Sequence, residues 1–78
     1  MMTADELFKA SGYDKTYETD QKVVYSKKHG DYAYSLILYR NGQIISKVDY
    51  ALESNIAATI TFEVLDAINA KLAELGWK

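Results

Sequence analysis

Apolar residues recur every three or four positions at both ends of this chain and alternate with polar ones in the middle, which predicts helices flanking strands. In "MTADELFKASGY" (2–13), Thr3 and Glu6 match a capping box, with Met2 and Leu7 at the spacing of a hydrophobic staple. Gly12 takes the left-handed position after the helix, and Tyr13 is placed to pack back on Phe8. The first helix is therefore predicted over residues 4–11, too short to persist without tertiary contacts. At the other end Leu65, Ile68, Leu72 and Leu75 form an apolar stripe, extended by Phe62 and Val64. Thr61 is the expected N-cap, Glu63 and Asp66 suit the positive end of the helix dipole, and Gly76–Trp77 repeats the Gly-aromatic ending, with Trp77 folding back on Leu72.

Between the helices, "QKVVYSKK" (21–28), "YAYSLILYR" (32–40) and "QIISKVDY" (43–50) read as strands rich in β-branched and aromatic residues. "HGD" (29–31) predicts a tight turn at His29-Gly30, and Asn41-Gly42 is a strong type I′ hairpin signal. Residues 13–20, "YDKTYETD", read as a polar loop. Residues 51–60 have no clear period and read as a loop, with a short strand at 57–60 as the alternative. The expected fold is α+β, in the order α-β-β-β-α: a three-stranded antiparallel meander with two helices packed on one face. Residues 1–78 form one domain.

Two-residue loops at both turns would place Tyr25 opposite Tyr34 and Leu38 opposite Ile45. One face then collects Val24, Ser26, Ala33, Ser35, Ile37, Tyr39, Ile44, Ser46, Val48 and Tyr50. The other collects Val23, Tyr25, Lys27, Tyr32, Tyr34, Leu36, Leu38, Ile45, Lys47 and Asp49. Burying an unpaired charge is costly, so the face without Lys47 and Asp49 is expected under the helices. The second face would then expose Tyr25, Tyr34, Leu36, Leu38 and Ile45, an apolar patch of the kind that marks interfaces. These five are the candidate partner-binding residues, for a second copy of the chain first and another protein second. A bulge or a longer loop would exchange the faces, because a one-residue slip reverses every side chain. A Tyr-rich sheet that is merely solvated is the third reading.

Composition restricts the function further. With 78 residues the chain buries roughly 60% of its unfolded surface. The absence of cysteine removes disulfides and thiolate metal sites. The N-terminal stretch lacks the basic segment and long apolar run of a signal peptide, and no run approaches the roughly 20 residues that span a bilayer. A cytoplasmic protein without membrane partners is expected.

Catalytic constellations are scarce. His29 is the sole histidine, and in a turn beside Asp31 it reads as a solvated residue rather than a proton shuttle. Asp14, Glu18 and Asp20 lack the central Gly and terminal Glu of an EF-hand. All four glycines serve helix ends and turns, leaving none for a phosphate loop. A non-enzymatic protein without cofactor or metal is expected.

The order α-β-β-β-α is also that of double-stranded-RNA-binding domains, which place lysines at the start of the last helix. Here that stretch, "TFEVLDAINAK", carries Glu63 and Asp66, which would repel phosphates. A formal charge of −2 points the same way. Weak single-stranded nucleic-acid binding remains the alternative, with Tyr25, Tyr32 and Tyr34 stacking on bases beside Lys27, Lys28 and Lys47.

The two ends, "MTADELFKASGY" (2–13) and "ITFEVLDAINAKLAELGW" (60–77), resemble a group of small uncharacterised proteins encoded by phages and prophages of Gram-positive bacteria. Those typically open with "T-x-E-E-L-F/M-x-x-L-G-Y" and close with "I-T-M-E-E-L-x-A-I-N-x-x-x-E-E-L-G-W". The similarity spans about 30 residues of caps and core positions, while the Tyr-rich hairpin and the 51–60 segment differ. It implies a phage-related accessory protein and carries no catalytic residue across.

Overall fold

The computed structural model of the protein describes residues 2–50 and 52–77, the side chain of Asn55 excepted. Its elements are α1 (Ala4–Ala10), β1 (Asp14–Glu18), β2 (Lys22–His29), β3 (Tyr32–Tyr39), β4 (Ile44–Tyr50), β5 (Glu53–Ala57) and α2 (Phe62–Leu75). The α+β class stands. The three-stranded sheet does not: among the described residues five strands run antiparallel in the order β1-β2-β3-β4-β5.

Both helix ends follow their local grammar. Glu6 N donates to Thr3 Oγ1 at 3.2 Å and Thr3 N donates to Glu6 Oε1 at 2.8 Å, which closes the capping box. Gly12 adopts φ 89° and Tyr13 N bonds to Phe8 O at 2.9 Å. At α2, Val64 N donates to Thr61 Oγ1 at 3.2 Å, Gly76 adopts φ 71°, and Trp77 N bonds to Leu72 O at 3.0 Å. Each cap satisfies amides or carbonyls that the helix itself leaves unpaired.

The two extra strands lie in segments that the alternation reads as loops. β1, "DKTYE", is exposed along its length, so no apolar period marks it; backbone pairing with β2 makes it a strand. β5 falls at 53–57, where pairing with β4 outweighs a weak local preference.

The hairpin turns decide the faces. In β2–β3, His29 pairs with Tyr32, so the loop is Gly30-Asp31 rather than His29-Gly30. Tyr25 thus faces Leu36, not Tyr34. That shift moves the pairing by two residues and leaves the faces unchanged. In β3–β4, Tyr39 N bonds to Gln43 O at 2.9 Å and Gly42 N to Tyr39 O at 3.0 Å, with Gly42 at φ 98°. The loop has three residues, Arg40-Asn41-Gly42, with Gly42 at the positive-φ position, and Leu38 pairs with Ile44 instead of Ile45. This one-residue slip turns Lys47 and Asp49 away from the Leu36–Leu38 face. The charge argument for leaving that face open therefore fails.

The helices cover the face that the sequence argument left in water. Val23, Tyr25, Leu36 and Leu38 form one buried cluster with Phe8 of α1, Tyr13, and Val64, Ala67 and Ile68 of α2. The Phe8 and Tyr25 rings stack at 3.7 Å between centroids. On α2 the inward side is Val64, Ala67, Ile68 and Lys71, so the stripe is rotated: Phe62 is 84% exposed and Leu65 is also outside.

Candidate interaction surface

Three of the five predicted partner-binding residues, Tyr25, Leu36 and Leu38, are fully buried and belong to the core, out of a partner's reach. Tyr34 is half-buried at the edge of the same cluster. Ile45 is exposed, but on the opposite face. The predicted patch is thus divided between two sides of the sheet. The larger apolar volume of the two central strands lies on the Val23–Tyr25–Leu36–Leu38 side, and that signal would have identified the buried face without the register of β4.

A different surface takes its place. Neither helix lies on the face formed by the alternate residues of the strands. Cross-strand register builds it in rows, since directly opposed side chains are close neighbours. Tyr17 pairs with Val24, Val24 with Ile37, and Ile37 with Ile45, giving one apolar row across four strands. Lys22 and Tyr39 lie on one side of it. On the other side come Asp14, Ser26, Ser35, Lys47 and Ala57, and beyond them Lys28, Ala33 and Asp49. Tyr17 and Ile45 are 54% and 41% exposed, whereas Val24, Ile37 and Tyr39 are half-buried by their neighbours. The Lys22 ammonium lies 5.6 Å from the centre of the Tyr17 ring. Sequence reasoning missed Tyr17 because it assigned β1 to a loop, and missed Val24, Ile37 and Tyr39 because it placed them inside.

The edges of this sheet are poorly suited to pairing. An extra residue, Thr16, bulges from β1 between Lys15 and Tyr17, and a second bulge interrupts β5 between Glu53 and Ile56. Bulges on edge strands obstruct strand-to-strand addition.

The fold gathers one cluster of titratable groups between α1, β1, β2 and α2. The bulge at Thr16 puts Lys15 and Glu18 on the helix side, where their charged ends meet at 3.0 Å. Lys15 Nζ also lies 3.6 Å from Asp5, and the buried Lys71 ammonium lies 3.4 Å from Asp5 and 3.8 Å from Glu18. Tyr25 donates its phenol proton to Asp5. That hydrogen bond, with the ammonium groups of Lys71 and Lys15, holds the Asp5 carboxyl below its usual value. Burial first, and then the bond to Asp5, pushes the Tyr25 phenol well up. The cluster joins α1, β1, β2 and α2, and its carboxylates are already engaged by lysines.

A cavity of about 480 Å³ opens beneath the start of α2, lined among others by Ser11, Tyr13, Lys27, Tyr34 and Thr61. The Lys27 ammonium sits between the Tyr13 and Tyr34 rings, 4.9 and 4.8 Å from their centres. The lining residues hold a single lysine and a single carboxylate, Glu63. Among the described residues no group of three His, Cys, Asp or Glu side chains is placed to hold a metal ion. No described helix is long and apolar enough to cross a membrane. No protein-family model, curated protein or solved structure matches this chain.

Proposed function

We propose that this protein acts by non-enzymatic binding to another protein through the helix-free face of its sheet. The observation that carries the reading is the apolar row Tyr17–Val24–Ile37–Ile45 in continuous cross-strand register, on the side of the sheet opposite the one that both helices pack against. Aromatic and aliphatic side chains of this kind, ringed by lysines and aspartates, have the composition of an interface with an apolar centre and a polar rim. The similarity of both chain ends to small phage and prophage proteins supports an accessory role inside a bacterial cytoplasm, where such a product would engage a partner rather than turn over a substrate.

One observation favours a second reading. Tyr17 and Tyr39 share this face with Lys22, Lys28 and Lys47, an arrangement that would stack and neutralise a short single strand of nucleic acid. Tyr25 is buried and plays no part in it.

A photoreactive benzoylphenylalanine at position 37, irradiated in the producing cells, separates the two. Covalent adducts that resist nuclease and are destroyed by protease support protein binding. Adducts that collapse on nuclease treatment support the second reading. The absence of any adduct, with the variant folded, refutes both.

A further inference from the structure

We infer that the cavity beneath the start of α2 binds a small zwitterion, an α-amino acid with an apolar side chain, its carboxylate on Lys27 and its ammonium on Glu63. This goes beyond the protein-binding reading, because the cavity lies on the helix side of the sheet. Lys27 pairs with Tyr34 in the same alternation that puts Tyr25 and Leu36 in the core.

Two opposite charges line this cavity without meeting each other. Lys27 and Glu63 are its charged lining residues, and no ion pair among the described residues includes either of them. The cluster around Asp5 is the contrast, since Asp5 and Glu18 there each lie against an ammonium group. The Tyr13 and Tyr34 rings flank the Lys27 ammonium at 4.9 and 4.8 Å, but a ring face is not a counter-ion and accepts none of the three N–H donors as an oxygen would. Burial pushes the Tyr13 phenol up, with the neighbouring Tyr34 adding to it, so that phenol stays neutral beside the ammonium. The stem of Lys27 is held as well: a Cβ at Gly12 would lie 2.9 Å from Lys27 Cδ. The cation is thus oriented before a ligand arrives, which lowers the ordering cost of binding.

Charge and size then select the ligand. An anion that meets Lys27 is repelled by Glu63, and a cation that meets Glu63 is repelled by Lys27. A molecule that carries both charges satisfies each group. The volume of about 480 Å³ falls in the lower half of the range for small-molecule sites, roughly 300–1,000 Å³, which suits one amino acid and a large side chain. Ala10, Val64 and the Tyr34 ring supply apolar wall for that side chain.

The experiment is an NMR titration of the isotope-labelled chain with L-phenylalanine, 3-phenylpropionate and phenethylamine, which share a ring and differ in charge. L-phenylalanine should shift the amides of Ser11, Lys27 and Val64 with a Kd of about 1 mM, the strength that a ligand of this size allows. 3-Phenylpropionate lacks the ammonium and phenethylamine lacks the carboxylate, and each should bind about tenfold more weakly. In Glu63→Gln, L-phenylalanine and 3-phenylpropionate should bind within about twofold of each other; in Lys27→Gln the same should hold for L-phenylalanine and phenethylamine. Glu63 is exposed, so Glu63→Gln keeps the fold and decides alone if Lys27→Gln does not fold. Three results overturn the inference: no shift at these amides up to about 20 mM L-phenylalanine, a single-charge analogue that binds within about twofold of it, or a Glu63→Gln variant that keeps the tenfold preference. Adducts at position 37 report on the opposite face, so the protein-binding reading stands or falls separately.

Discussion

Leu36 and Ile37 are neighbours in β3 with nearly equal side-chain volume, yet the fold gives them opposite fates. Leu36 is fully buried between Tyr25 and Ser46, its partners on β2 and β4, and belongs to the cluster under the helices. Ile37 faces away from both helices and is half-buried. Truncating Leu36 to Ala leaves a cavity that the surrounding elements cannot close fully, at a cost of about 3 kcal/mol within the usual 2–5. A chain of 78 residues has roughly 4–12 kcal/mol of total stability, so this is a large fraction of it. The unfolding entropy of about 2.1 cal/mol/K per residue amounts to ~0.16 kcal/mol/K, and Leu36→Ala should therefore lower Tm by about 18 °C. Ile37→Ala removes side-chain contacts from one side only and should cost about 1 kcal/mol, near 6 °C. The assay is urea and thermal unfolding followed by circular dichroism at two protein concentrations tenfold apart, so that any contribution from self-association shows as a concentration dependence. Equal losses from the two variants, or a larger loss from Ile37→Ala, would refute this assignment of the buried face.

The ion cluster and the glycines give further tests. Asp5 has a folded pKa below its unfolded value, so the native state binds fewer protons than the unfolded state in the acid range. Its contribution is present above the unfolded value of 3.8 and is lost as pH falls through the lower folded value; Tyr25→Phe, which removes the main cause, should flatten the acid limb of stability against pH. Tyr25 shifts the opposite way: its contribution is complete below the unfolded value of 10.0 and fades as pH rises beyond it. The phenolate absorbance of Tyr25 should thus emerge only together with loss of the circular-dichroism signal, and a Tyr25 that titrates in the native protein would contradict the burial. Gly12→Ala should destabilise more than Gly42→Ala in denaturant titrations. Both positions have positive φ, at about 1 kcal/mol or more of strain each, but a Cβ at Gly12 would also lie 2.9 Å from Lys27 Cδ, while one at Gly42 meets nothing within 4 Å.

The chain's own sequence determined whatever rests on neighbours within a few residues. Thr3 with Glu6, and Thr61 with Val64 N, place the helix starts, because a hydroxyl three residues before an unpaired amide caps it in any fold. Gly12 and Gly76 place the ends, since the left-handed turn there costs other residues a steric penalty. The α+β class and the three central strands follow from the change of period. Tertiary structure decided the rest. β1 and β5 are strands because β2 and β4 offer unsatisfied backbone groups, which no side-chain pattern in "DKTYE" or "ESNIA" announces. The inside of the sheet was settled by one residue of loop length at Arg40-Asn41-Gly42, which moved Lys47 and Asp49 from one face to the other. The stack of Phe8 on Tyr25 and the meeting of Asp5 with Lys71 depend on the docking of α1 and α2 across the whole chain length. Tyr17, Val24, Ile37 and Ile45 come from four different strands, and only the register of the sheet brings them into a single row.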